Sequence, residues 1–221
     1  LDFADRTQDH VAAYFHTGGT TGMPKVAQHK ATGMIYNGWL GHRLLFRETD
    51  IVICPLPLFH VFAAYPILMS MIASGAHVVF PTPAGYRGEG VFDNFWKLVA
   101  RWKVSYMVTV PTALSALMQR PVDADVSTLR GAFSGSAPLP IELFNRFEKA
   151  TGVQIVEGYG LTECTCLVSI NPPDGNKKIG SVGLPFPHCD VRIIATHPDG
   201  SPRECGVDEV GEICVSNPGV Y

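Results

Sequence analysis

Charge is scarce in this chain. Charged residues fill 17% of its 221 positions and the formal net charge is −3, so it has no basic surface of the kind that neutralises a phosphate backbone, and no nucleic acid is expected as a partner. Paired cysteines are missing as well. The six cysteines, at 54, 164, 166, 189, 205 and 214, include no CxxC pair, and a chain this long needs no disulfide scaffold. They read as reduced thiols of a cytoplasmic protein. Cys164 and Cys166 stand closer together than zinc sites favour. The opening Leu1-Asp2-Phe3-Ala4-Asp5-Arg6 lacks the basic start and long apolar run of a secretion signal. No stretch is apolar for long enough to span a bilayer, because Pro55, Pro57, His60, Pro66 and Gly75 interrupt the longest candidate, Ile51 to Phe80. Internal repeats and low-complexity tracts are absent. What remains is a hydrophobic content of 46%, which suits a core-rich α/β protein with one large domain and a second one begun.

Periodicity supplies the order of elements. Strands are expected at Val11–Phe15, Ile51–Cys54, Ala76–Phe80, Val104–Val110, Leu129–Phe133 and Val153–Val156, all rich in β-branched or aromatic residues. Helices are expected between them. One runs from Ala31 to Phe46 with Ile35, Trp39 and Leu44-Leu45 facing inward, and another covers Val61–Ala73. A third ends near Trp102, a fourth starts at Pro111, and a fifth is opened by Pro140 and capped by Gly152. Alternating strands and helices imply a mostly parallel sheet with crossover helices. Beyond about Asn171 the pattern changes. Pro172-Pro173-Asp174-Gly175 is a turn, and the later strands Val191–Ala195 and Glu212–Val215 have no helices between them. The expected division is therefore 1–171 as the α/β part and 172–221 as the beginning of an antiparallel, barrel-like subdomain.

The stretch with most chemistry is Thr17 to Lys25, TGGTTGMPK. Gly18, Gly19 and Gly22 permit sharp turns and close approach, while Thr17, Thr20, Thr21 and Lys25 add hydroxyls and a positive charge. Turned backbone amides with such side chains form an anion-binding nest. The same residues also fit a hairpin, with strands 11–16 and 26–29 joined by a Gly/Thr-rich turn. Two familiar nucleotide loops are excluded by spacing: Met23 and Pro24 separate Gly22 from Lys25, Val26 follows the lysine, and Pro24 delays any helix.

TGGTTGMPK resembles the Ser/Thr/Gly-rich loop of the adenylate-forming (AMP-binding) superfamily, which comprises acyl-CoA synthetases, luciferases and peptide-synthetase adenylation domains. The chain departs from the usual pattern at Val26, where glycine is common, and at Gly18, where serine is. Gly158-Tyr159-Gly160-Leu161-Thr162-Glu163 matches the second signature of that family. The resemblance implies that the loop and Lys25 hold the β- and γ-phosphates of ATP. It implies Tyr159 and Gly160 against adenine, Thr162 on the α-phosphate and Glu163 on Mg²⁺. Gly135, Ser136 and Ala137, in Ser134-Gly135-Ser136-Ala137-Pro138, match the adenine-flanking loop. His60 matches a position beside the acid's carboxylate, and the helix after it is expected to line the acid pocket.

The function implied is ATP-dependent activation of a carboxylic acid through an acyl-adenylate, followed by thioester formation with coenzyme A. The apolar neighbours Val61, Phe62 and Tyr65 suggest a fatty or other apolar acid. Other readings are an adenylation domain for a different acid or acceptor, and a non-catalytic nucleotide-binding module. By the same resemblance, a ribose-binding aspartate and a C-terminal domain with its lysine lie beyond residue 221. The resemblance therefore implies that residues 1–221 are an internal fragment of a large N-terminal domain, expected to be inactive alone.

Overall fold

The computed structural model describes residues 7, 9–17 and 25–220. The chain begins with an antiparallel hairpin in which β1 (Val11–Thr17) pairs with β2 (Lys25–Lys30), Thr17 opposite Lys25. The hairpin reading of this stretch therefore holds. The connection between the strands, residues 18–24, lies outside the described residues, and with it the expected positions of Gly18, Gly19, Thr20, Thr21 and Gly22.

Helix α1 (Ala31–Leu40) follows without a break and widens into a π-helical turn, Gly41–Leu45. Its inward face differs from the expected one. Ile35, Trp39 and Leu44 are 57%, 39% and 46% exposed, whereas Gly33, Tyr36, Asn37 and Leu40 are buried with Leu45. The reason is close backbone approach. A Cβ on Gly41 would lie 1.8 Å from Ser70 Oγ, and one on Gly38 would lie 3.2 Å from the Met69 carbonyl oxygen. Small residues set this helix interface, and the large apolar ones on the same helix are turned away.

The strand β3 (Ile51–Ile53) leads through a proline-containing loop into a helical segment. That segment is π-helical over Ala63–Met69, with Pro66 inside it, and continues as α2 (Ser70–Ser74). A proline interrupts the regular hydrogen-bond ladder, and the wide turn accommodates it. There follow β4 (His77–Val79), α3 (Val91–Trp102), β5 (Tyr106–Thr109), α4 (Pro111–Leu117), β6 (Gly131–Ser134), α5 (Ile141–Thr151) and β7 (Ile155–Leu161). Pro111 opens α4, and Gly152 ends α5 in the left-handed conformation at φ +75°. Strand β8 (Cys166–Ile170) and the two-residue β9 (Leu184–Pro185) complete a sheet of order β4-β3-β5-β6-β7-β8-β9. The first five are parallel, and β8 and β9 are antiparallel additions. A separate antiparallel sheet, β10 (Asp190–Thr196), β11 (Pro202–Glu204) and β12 (Glu212–Ser216), has the order β11-β10-β12. The protein is thus α/β, a mostly parallel sheet with crossover helices followed by antiparallel strands.

The pleat of the parallel strands sorts the core into two layers. Ile53, Met107, Ala132 and Ile155 face α3, α4 and α5, packing with Phe95, Trp96, Leu114 and Phe147. Their strand neighbours Val52, Tyr106, Val108, Phe133 and Val156 face the other way, toward Tyr36, Leu40, Phe46, Ile67 and Met71. Both faces are covered, as burial of a parallel sheet requires. No helix among the described residues is long and apolar enough to cross a membrane.

The α1 interface yields a direct test. Gly41→Ala should cost about 1–3 kcal/mol, the usual penalty for forcing a methyl group into a filled contact. Removing the obstructing hydroxymethyl group with Ser70→Gly should make the double variant more stable than the two single losses added together. Urea titration of the four proteins measures the coupling, and simple additivity would show that the two positions do not compete for space.

Candidate active site

Open parallel sheets form ligand crevices beyond the carboxyl ends of their strands, and the cleft of this protein lies there. It holds about 800 Å³ of empty space, counted out to its open mouth. Its walls come from the start of the helical segment after β3, the loop after β6, and the far half of β7 with the turn after it. Strand β8 and the end of the π-helical turn after α1 contribute to its floor. His60, Gly135, Ser136, Tyr159, Gly160 and Thr162, which are far apart in the chain, all stand in its wall. The floor is apolar, formed by Phe46, Ile67, Phe133, Val156, Leu167 and Ile170.

Other expected site residues lie around this wall rather than in it. Ala137 is exposed on the loop and does not line the cleft. Glu163 is half-buried in the short Thr162–Cys164 turn, next to Thr162. Thr17 and Lys25 face each other at the mouth of the hairpin, the Thr17 hydroxyl donating to the Lys25 carbonyl at 3.4 Å. Strand β1 packs against the Thr162–Cys164 turn, so the root of the Gly/Thr loop adjoins the second signature. Among the described residues, no three side chains of His, Cys, Asp and Glu gather as a metal cluster.

Two local features show how the walls are shaped. The strand expected to end at Val156 runs on to Leu161, its far half pairing with β8 through an irregularity at Tyr159/Gly160. A Cβ on Gly160 would sit 1.9 Å from the Cys166 carbonyl oxygen, so only glycine fits this bulge. Tyr159 and Thr162 therefore belong to a strand and the turn directly after it, not to a free loop. The second feature is Ser136, held at φ +70°, a conformation that costs a non-glycine residue free energy and recurs at ligand sites.

Polar groups in the cleft are few and specific. The Ser134 hydroxyl is buried with no hydrogen-bond partner among the described residues, and it stands in the cleft wall. A buried hydroxyl without a partner is costly, and a polar atom of a bound ligand would satisfy it. The His60 Nδ1 accepts the Phe62 backbone N–H at 3.2 Å, which leaves Nε2 to carry the ring proton. Its pKa is lowered by the desolvating apolar surroundings, although the residue is reachable from solvent. Buried thiols stay protonated: burial pushes Cys54 up to about 12 and Cys164 up to about 11.

Residue 2 to residue 221 matches the profile of the AMP-binding enzymes. The chain belongs to the AMP-binding enzyme family. It is 36% identical over 217 residues to a marinolic acid–CoA ligase of Pseudoalteromonas sp. (strain SANK 73390), covering 95% of this chain and 33% of that one. Against a long-chain-fatty-acid–CoA ligase of Salmonella typhimurium it is 32% identical over 213 residues, with coverage of 93% and 36%. The chain thus spans about a third of the length of these ligases. Two of the solved structures that share its fold show how far the likeness extends. The anthranilate CoA ligase AuaEII, in complex with anthranoyl-AMP, superposes with a TM-score of 0.87 at 26% identity over 100% of this chain and 42% of that one. ATP-bound MatB from Rhodopseudomonas palustris gives 0.86 at 27% identity, covering 98% and 41%.

Several residues that brace the segments around this cleft carry no signal in the sequence. Glu157 looks like any strand carboxylate, yet it is 7% exposed. Its Oε1 accepts the Leu139 N–H at 3.4 Å and its Oε2 accepts the Gly180 N–H at 3.2 Å. It therefore ties the loop after β6 to the Gly180 segment. Asn171 continues the tie, its amide donating to the carbonyls of Glu157 and Ser181 at 3.3 and 2.6 Å. His29 sits in the polar run Gln28-His29-Lys30, which suggests a surface position, yet it is wholly buried. Desolvation lowers the His29 pKa, against the opposing effects of its bond to Thr162 and the charge of Glu163.

Replacing Glu157 with alanine strands the amide of buried Leu139 at a cost of about 1–3 kcal/mol, and it frees the amide of exposed Gly180 to turn to water. The urea midpoint should fall with an unchanged denaturant slope. A variant as stable as the parent would mean that the Leu139 amide has another partner.

Proposed function

We propose that the protein containing this chain is an acid–thiol ligase that activates an apolar carboxylic acid with ATP and passes the acyl group to coenzyme A. One observation carries this reading. A single cleft holds His60 and an apolar floor on one side, and Gly135, Ser136, Tyr159, Gly160 and Thr162 on the other. An acid and a nucleotide can therefore meet within it. The curated relatives, ligases named for marinolic acid and long-chain fatty acids, support the reaction type, and the anthranoyl-AMP and ATP complexes of the fold neighbours support the nucleotide.

In the first half-reaction an acid oxygen attacks the α-phosphorus of ATP. The bond from that phosphorus to the bridging oxygen breaks, and pyrophosphate leaves. In the second, the coenzyme A thiol attacks the acyl carbon and AMP departs. The protein's part is positioning and charge stabilisation. His60, with its proton on Nε2, donates to the acid carboxylate. Phe62, Ile67 and Phe133 bury the acyl body. Gly135 and Ser136 flank the adenine with Tyr159 and Gly160. Thr162 holds the α-phosphate, and Thr17, Lys25 and the Gly18–Gly22 loop hold the β- and γ-phosphates. Glu163 would hold Mg²⁺ with the phosphates, a one-carboxylate arrangement that suits this ion. When bound, Mg²⁺ neutralises phosphate charge. Residues 1–171 make up this acid- and nucleotide-binding part, and 172–221 begin the barrel-like one.

The deciding measurement is acid-dependent pyrophosphate release by the full-length protein across acids of increasing chain length. Absence of release with every acid tested would reject the reading and leave a non-catalytic nucleotide-binding module. Within that assay, Glu163→Ala should lower the magnesium-dependent rate by at least ~10²-fold, the usual worth of one electrostatic contact to a transferring phosphate. A near-normal rate and magnesium dependence would remove Glu163 from the metal site.

Acid length should respond to the floor. Val61, Phe62, Pro66 and Ile67 line the cleft, whereas Ala63 is turned into the core. Ile67→Phe should shift preference toward shorter acids and leave the KM for ATP unchanged. An altered ATP KM with an unchanged acid profile would place this helical segment on the nucleotide side.

A further inference from the structure

We propose that His29 is a positioning residue that sets the Thr162–Glu163 peptide relative to the root of the Gly/Thr loop, an inference that rests on the acid-activating reading. His29 lies on β2, four residues after Lys25, and its side chain is wholly buried. Its Nε2 is 2.7 Å from the Thr162 carbonyl oxygen and its Nδ1 is 2.9 Å from the Tyr65 hydroxyl. A carbonyl can only accept, so Nε2 bears the proton and donates. The neutral ring then has a bare Nδ1, which accepts from the Tyr65 hydroxyl. Both ring nitrogens are satisfied in one tautomer and one orientation. Phe15 stacks on the ring at 5.2 Å and Tyr65 meets it edge-on at 5.3 Å, so packing holds the ring in the same place.

Three segments converge on this imidazole. Phe15 and His29 come from the two strands of the hairpin, Tyr65 from the helical segment behind the acid pocket, and Thr162 from the second signature. The bonded carbonyl belongs to the peptide joining Thr162 to Glu163, so its orientation fixes where both side chains point. Thr165 N–H also donates to that oxygen, at 3.2 Å. This bond comes from within the same turn and cannot register the turn against another element. The His29 bond is the described one that reaches it from the hairpin. A histidine merely filling a core would be fixed by packing and would have no reason to aim a donor at this carbonyl.

The test uses full-length protein and variants that separate the two ring nitrogens. A glutamine amide nitrogen extends to about the position of Nε2, and an asparagine amide nitrogen to about that of Nδ1. His29→Gln should keep acid-dependent ATP–pyrophosphate exchange within about threefold of the parent. His29→Asn and His29→Ala should lower its kcat by about 10- to 100-fold while the KM for the acid stays within twofold, a split expected for loss of phosphate-side positioning. Circular dichroism at the assay temperature confirms that each variant compared is folded. The inference is overturned if His29→Ala, folded, keeps the parent kcat, or if Asn restores the rate as well as Gln. Calorimetric binding of Mg·ATP to the same proteins distinguishes failure of the functional reading. A parent with no exchange but an affinity that follows parent ≈ Gln > Asn rejects acid activation and keeps the positioning role. Equal affinities in all four overturn that role.

Discussion

The constraint on which the site depends is the contact between Gly160 and the Cys166 carbonyl. With 1.9 Å between that oxygen and the place of a Cβ, the backbone of β8 can fold back onto β7 only where no side chain intervenes. This contact lets β7 change partners along its length. Its first residues pair in parallel with β6 and its last ones antiparallel with β8. The change of partner carries Tyr159 and Thr162 out over the end of the parallel sheet, where an ordinary strand would have stopped. The loop after β6 and the start of the helical segment after β3 reach the same place from their own strand ends. The cleft is the space these three ends leave between them.

Around that cleft the polar groups tie separate segments of backbone together. Glu157 joins Leu139 to Gly180, Asn171 joins Glu157 to Ser181, and His29 joins the hairpin to Thr162. None of these is a surface ion pair, where solvent screening would leave little net stabilisation. Buried hydrogen bonds of this kind contribute modestly to stability but are costly to leave half-made, so they fix register sharply. The sparse charge noted at the outset agrees with this. Order at the site comes from amides, carbonyls, one imidazole and one carboxylate shielded from water.

How far the sequence could be read depended on the kind of signal. Alternating strands and helices from Ile51 to Val156 were legible, because burial on both sheet faces leaves apolar runs bounded by glycine and proline. The second antiparallel sheet was legible from the lack of helices after Pro172-Pro173. Hydrophobic periodicity points the wrong face of α1 inward, since it weighs Ile35 and Trp39 heavily and glycines not at all, whereas close approach at Gly38 and Gly41 decides the packing. Strand β8 leaves no clear mark in the sequence for a related reason. Gly158 and Gly160 read as a loop, and a bulge that demands glycine cannot be told from a turn by composition. At the site, the motif residues were visible as patterns, and six of them share the cleft wall. Glu157 and His29 were invisible because their importance lies in partners 18 to 133 residues away.

The division of the core by the sheet has an evolutionary consequence. The floor of the cleft, from Leu45 and Phe46 through Ile67, Phe133, Val156 and Leu167, is drawn from the layer on one face. The layer under α3, α4 and α5 contributes nothing to the lining. Substitutions that remodel the pocket therefore erode only one of two reservoirs of buried apolar contact. The opposite face acts as ballast, keeping the chain folded while the pocket changes shape. Such an architecture can explore many pocket linings on one surface of a sheet whose other surface stays constant.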